Sequence, residues 1–130
     1  DGRIFINLTG ITRFEVIEEV KNSKLYREFK VDYKKFNIDL IPTVEEINAD
    51  NLMEKSKIFF KKNGLLINWI KFKELDLTQK INTLAMIAPI SNEEKQKLLE
   101  TVSLKAKVKT LEDIMNFYLH EIHSSTGTIQ

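Results

Sequence analysis

Cysteine is absent from this 130-residue chain, which excludes disulfides, thiolate nucleophiles and cysteine-ligated zinc. Glycine occurs only at positions 2, 10, 64 and 127, and none of these forms a phosphate-cradling loop or a dinucleotide fingerprint. A Gly-x-Ser-x-Gly elbow is also missing. No window approaches the roughly 20 apolar residues that a membrane-spanning helix needs. Asp1-Gly2-Arg3 has no signal-peptide character. Charge of one sign is lacking too: the net charge is +1, with opposite charges interspersed. No broad field is therefore available to draw in nucleic acid or an anionic membrane, and neither is an expected partner. Arginine is scarce beside lysine, which weakens bidentate recognition of phosphates or base edges.

What is present is 42% hydrophobic and 30% charged residues, the balance of a folded domain rather than a disordered chain. The absence of cysteine fits a cytoplasmic protein. The first 40 residues alternate in the strand manner. "RIFINLTG" places Ile4, Ile6 and Leu8 on one face, and Asp1-Gly2 before it reads as a hairpin turn. The chain is therefore expected to begin partway through a domain. "ITRFEVIEEV" follows, with Thr12, Phe14 and Val16 on one side, and Asn22-Ser23 marks the next turn. "LYREFKVDY" then carries Leu25, Phe29, Val31 and Tyr33 on a common face. These features predict a three-stranded antiparallel meander over residues 1–40, with 34–42 as a connector closed by Pro42.

Beyond Pro42 the period changes to helical, and a bundle of four to five helices is expected over residues 41–124. The fold class is thus α+β. Leu52, Ile58, Phe59 and Phe60 share a helix that stops at Asn63-Gly64. A short apolar segment offers Leu66, Trp69, Ile70 and Phe72 as core. Asp76 with Gln79 predicts a capping box for a helix running to Ala88, with Ile81, Leu84, Ala85 and Ala88 inward. Pro89 cannot continue that helix. In "PISNEEKQKLLET", Ser91 and Glu94 form a second capping box, and Leu98, Leu99 and Val102 are expected inside. Ser103 caps a final helix whose stripe is Leu104, Val108, Leu111, Met115, Tyr118 and Ile122. Residues 125–130 read as a disordered tail.

No catalytic, cofactor or metal site is legible, and no cofactor is expected. His120 and His123 lie three apart on the last helix, yet no third ligand stands in a motif relationship to them. Two histidines near a helix C-terminus are accounted for by the dipole. The adjacent glutamates at 18–19, 45–46 and 93–94 point about 100° apart on a helix and make poor acid–base couples. Ser56, between lysines, reads as an exposed helix position. Phe59, Phe60, Leu66, Trp69 and Phe72 form the densest aromatic and apolar cluster. Core is the favoured reading for most of it. Phe60, Leu66, Trp69 and Phe72 are the candidates for protein binding, and Phe60 and Phe72 have the spacing most free to face outward.

Residues 81–115 resemble the C-terminal helical part of the substrate-binding domain of the Lon protease (protease La) family. The resemblance is carried by Glu94-Lys95-Gln96-Lys97-Leu98-Leu99-Glu100 after a proline-containing break. "DGRIFINLTGITRFEV", with Gly10, Arg13 and Phe14, is similar to that family's hairpin. The likeness runs from Asp1 to about Tyr118 and is nearest to short bacterial proteins made of this domain alone. It implies that the meander is the C-terminal part of a PUA-like barrel. It also implies a proteolysis-related, non-catalytic module that holds unfolded or tagged polypeptides or a partner protein. The family's upstream β half has no counterpart here, nor has its ATPase or serine–lysine peptidase, so no enzymatic activity is expected. The alternative that PUA-like architecture suggests is an RNA-binding module, against which the near-zero charge argues. An enzyme with an unrecognised site is the third reading. An orphaned sheet edge would favour a homodimer.

Overall fold

The computed structural model describes residues 2–41 and 46–125, with side chains described as far as His120. The chain divides into two compact units, Asp1–Glu45 and Glu46–Gln130.

The N-terminal unit is built on one hairpin. Strand β1 (Glu15–Val20) pairs antiparallel with β2 (Glu28–Asp32), and a bulge at Ile17 separates the pairs Val16–Val31 and Glu18–Lys30. Asn22 shapes the turn by accepting a hydrogen bond from the Lys24 amide at 2.8 Å, a local alternative to sheet pairing that asparagine readily supplies. Cross-strand ion pairs fix the register. Arg27 grips Glu19 through two bonds of 2.8 and 2.9 Å, and Lys30 lies 3.3 Å from Glu18. A 3-10 helix, Lys34–Leu40, follows β2. It starts where the Asp32 carboxylate accepts from the Lys34 amide at 2.9 Å, so the expected connector is an ordered turn with a kink at Phe36.

The expected third strand does not form. Residues 3–10 have no regular structure, and Ile4, Ile6 and Leu8 are exposed. Alternation specifies which face a strand buries, yet a strand exists only where a neighbour completes its hydrogen bonds. Among the described residues the sheet has two strands and closes no barrel. Phe36 is the one buried apolar residue described in this unit, a small core for a sheet that is marginal when two-stranded.

The C-terminal unit holds the main core in five helices: α1 (Asp50–Lys62), α2 (Trp69–Lys73), α3 (Leu77–Ile87), α4 (Asn92–Glu100) and α5 (Leu104–Ser125). Helix α5 is the axis on which α1, α3 and α4 pack. Leu52, Phe59, Phe60, Ile81, Leu84, Leu98, Leu111 and Met115 fill the interior, each worth about 1.5–3 kcal/mol of apolar burial. Both predicted capping boxes are present, Asp76 with Gln79 and Ser91 with Glu94. Ser103 accepts from the Ala106 amide at 3.2 Å to start α5. Ala88 lies in extended geometry at ψ 133°, as the residue before a proline should.

Several expectations are corrected by this packing. Ser56 is fully buried, not exposed. Its hydroxyl donates to the Leu52 carbonyl at 2.7 Å and approaches the Met115 sulfur at 3.4 Å. A small side chain whose polar group is satisfied within its own helix can line an interhelical contact. Ile58, Leu66, Ile70, Leu99 and Val102 are exposed. The α2 segment is shorter than its apolar run, so its outward face carries residues that periodicity assigned inward. Ile122 and His123 lie outside the described side chains. Of the expected tail, Ser125 belongs to α5, and 126–130 lie outside the described residues. No described helix is long and apolar enough to cross a membrane.

Candidate functional site

An exposed apolar surface of the C-terminal unit lies at the α1–α2 connection. Helix α1 ends at Asn63 in a Schellman turn. Gly64, at φ +69°, donates to the Lys61 carbonyl at 3.1 Å, and the Leu65 amide donates to the Phe60 carbonyl at 3.0 Å. This is the pattern of a helix closed by a left-handed glycine. Asn63 adds a side-chain bond to the Phe59 carbonyl at 2.8 Å. At the far end, Asn68 caps α2 by accepting from the Lys71 amide at 3.2 Å. Both ends of the loop are thus tied down by hydrogen bonds.

Between these ties the chain turns apolar residues outward. Leu66 is 102% exposed and Ile70 is 79% exposed. Trp69 is half-buried, its ring 5.3 Å from that of Phe72 in edge-on contact. Phe60 (1% exposed) and Phe72 (6%) belong to the core, so the reading that these two face outward is corrected. The four candidate residues split: Phe60 and Phe72 anchor the loop from beneath, while Leu66 and Trp69 meet solvent. Ile70 joins them, a residue that periodicity had placed in the core. Its exposure follows from the shortness of α2, which burial of Phe72 orients.

The N-terminal unit offers a second apolar surface. Phe5 is 96% exposed, and Val16, Ile17 and Leu25 are also exposed. The outer edges of β1 and β2 have no strand partner among the described residues. Arg13, one of the residues in the sequence motif, proves to be architectural. It binds Asp39 bidentately at 2.7 and 2.8 Å and lies 4.4 Å over the Phe36 ring. That clamp fixes the 3-10 helix against the entry to β1. Around the hairpin, the hydrogen bond from Arg27 holds the Glu19 carboxyl below its ordinary value. Bonds to Glu28 and Tyr26 raise the Lys24 ammonium above its own.

Among the described residues no three potential metal ligands cluster. Glu94 is engaged by Tyr118, whose hydroxyl donates to it at 2.7 Å, and by the Ser91 amide at 3.0 Å. Lys107, nearly buried, donates to Asn82 at 3.1 Å.

A family model described as the ATP-dependent protease La (LON) substrate-binding domain matches residues 1–116. No curated protein and no solved structure matches the chain.

Proposed function

The chain belongs to the LON substrate-binding domain family, and from that premise we propose that it holds stretches of unfolded or tagged polypeptide, or a partner protein, without cleaving them. The supporting observation is the α1–α2 loop. Leu66 and Ile70, beside the half-buried Trp69, are presented to solvent by a segment hydrogen-bonded at both ends. Ordered apolar side chains bind at a lower entropic cost than side chains that must first be fixed. Phe60 and Phe72 hold the loop's geometry from the core, and Leu66 and Trp69 make the contact. Within these 130 residues there is neither a phosphate-binding loop nor a nucleophile elbow, and the role proposed for them is binding.

The N-terminal unit adds a second mode within the same proposal. Its strand edges, unpaired by any other strand among the described residues, and the alternating segment 3–10 suit addition of a strand from another chain. With such a strand beside it, the segment becomes the third strand of a PUA-like sheet. A second copy of the chain is one candidate for that strand, and a monodisperse monomer in light scattering at high concentration would remove it. The proposed division of labour is a β subdomain in the unit Asp1–Glu45 and a helical subdomain in the unit Glu46–Gln130, acting in the cytoplasm.

The test uses a reduced, alkylated protein that stays unfolded, with its folded counterpart and an inert globular protein as controls. Fluorescence of Trp69, the one tryptophan of the chain, reports binding at the loop. Saturable binding of the unfolded chain, weakened by Leu66→Ser with Ile70→Ser, is expected. Binding no stronger than that of the globular control would overturn the proposal.

A further inference from the structure

Resting on the reading of the α1–α2 loop as a polypeptide-binding surface, we propose that this loop selects segments in which acidic and apolar residues are interleaved. The argument is one of charge complementarity. From 61 to 73 the chain reads "KKNGLLINWIKFK", with lysines at 61, 62, 71 and 73 and no acidic residue. The lysines lie at the two ends of the stretch, in the last turn of α1 and in α2, and Leu66 lies between them. All four are exposed. Lys61, Lys71 and Lys73 form no ion pair among the described residues. Elsewhere the chain does pair its lysines: Lys30 with Glu18, Lys35 with Glu15, Lys55 with Glu112. The nearest acids that follow are Glu74 and Asp76, and Asp76 is occupied in capping α3.

The overall charge of +1 hides this local bias. An apolar centre with a cationic rim favours a ligand with an apolar centre and an anionic rim. The rim charges govern which partner is accepted and the salt dependence more than the total affinity. A basic segment of equal hydrophobicity would meet like charge at both ends of the loop. The occupant that satisfies both features is therefore a polypeptide segment of leucine or phenylalanine among aspartates and glutamates.

Three synthetic peptides of matched length and apolar content, with acidic, basic or neutral intervening residues, test this against the full chain. Each exposed charge pair contributes modestly, so the sum over three lysines amounts to about a tenfold preference for the acidic peptide over the basic one at low salt. That preference should shrink as salt is added. It should shrink towards equality in K61Q/K71Q/K73Q and reverse in K61E/K71E/K73E; circular dichroism verifies that both variants fold. Equal binding of the acidic and basic peptides, with both weakened by Leu66→Ser, would leave the binding surface in place and overturn its selectivity. Failure of all three peptides to bind would remove the parent reading of the loop as well. Binding to vesicles of phosphatidylcholine and phosphatidylglycerol that outcompetes the acidic peptide would overturn the proposal in favour of a membrane surface.

Discussion

Replacing Ser91 with alanine, Tyr118 with phenylalanine, and both Glu94 and Tyr118 together tests whether the sequence motif around α4 is structural. Ser91 accepts from the Glu94 amide at 3.2 Å, and the Glu94 carboxylate accepts from the Ser91 amide at 3.0 Å. The same carboxylate oxygen accepts from the Tyr118 hydroxyl at 2.7 Å, which ties the start of α4 to the middle of α5. Loss of an N-cap side chain costs about 1 kcal/mol. A hydrogen bond to a charged group is worth about 1.5–3 kcal/mol when buried. Tyr118 and Glu94 are only half-buried, so Tyr118→Phe should cost about 1 kcal/mol, below that range because of solvent competition. Glu94→Ala removes the carboxylate's bonds from the Ser91 amide and the Tyr118 hydroxyl, leaves the Ser91 cap on the residue-94 amide in place, and should cost about 2 kcal/mol. In a double-mutant cycle the Glu94–Tyr118 coupling should be about 0.5–1 kcal/mol. Urea unfolding followed by Trp69 fluorescence reads the C-terminal unit, which contains that residue. At a typical denaturant sensitivity, each kcal/mol moves the midpoint by about 0.3–1 M. Coupling within error of zero, with Tyr118→Phe unchanged from wild type, would refute a structural role for this linkage.

Phe60→Ala should destabilise the C-terminal unit by about 3–5 kcal/mol, since it empties a core position, whereas Leu66→Ser should stay within about 0.5 kcal/mol. Thermal melts compare the two, and equal losses would contradict the assigned burial. Asp39→Ala should release the Arg13 clamp, and hydrogen exchange should show faster exchange at the amides of the 3-10 helix; unchanged protection there would mean that the clamp does not hold it. Glu19 titrates below its ordinary 4.5 first because Arg27 donates to its carboxylate. A depressed folded value means the pair's contribution is present above that ordinary value and lost as pH falls through the folded one. A carbon-13 titration of Glu19 should therefore show a higher midpoint in Arg27→Gln, and an unmoved midpoint would exclude the pairing in solution.

The parts of this protein legible in its sequence are those governed by neighbours along the chain. Capping boxes join residues three apart, so Asp76 with Gln79 and Ser91 with Glu94 could be read directly, as could the Asn63-Gly64 stop and the inward stripes of α3 and α5. Burial of particular side chains was decided elsewhere. Ser56 looked exposed between lysines, yet it sits at the contact of α1 with α5, where a small residue fits. Ile70 and Leu66 looked internal because their segment is apolar, but only Phe72 of the short α2 is fully drawn into the core. The candidate site was accordingly half legible: the right stretch, with its inward and outward residues partly exchanged. Residues 3–10 show the same division. Their alternation is a local property of the chain, whereas a strand requires hydrogen-bond partners that another segment must provide. Composition and spacing thus determined which segments would be helical or alternating and where they would stop. Which side chains meet water was settled only by the packing of distant segments, because burial depends on what lies across the core.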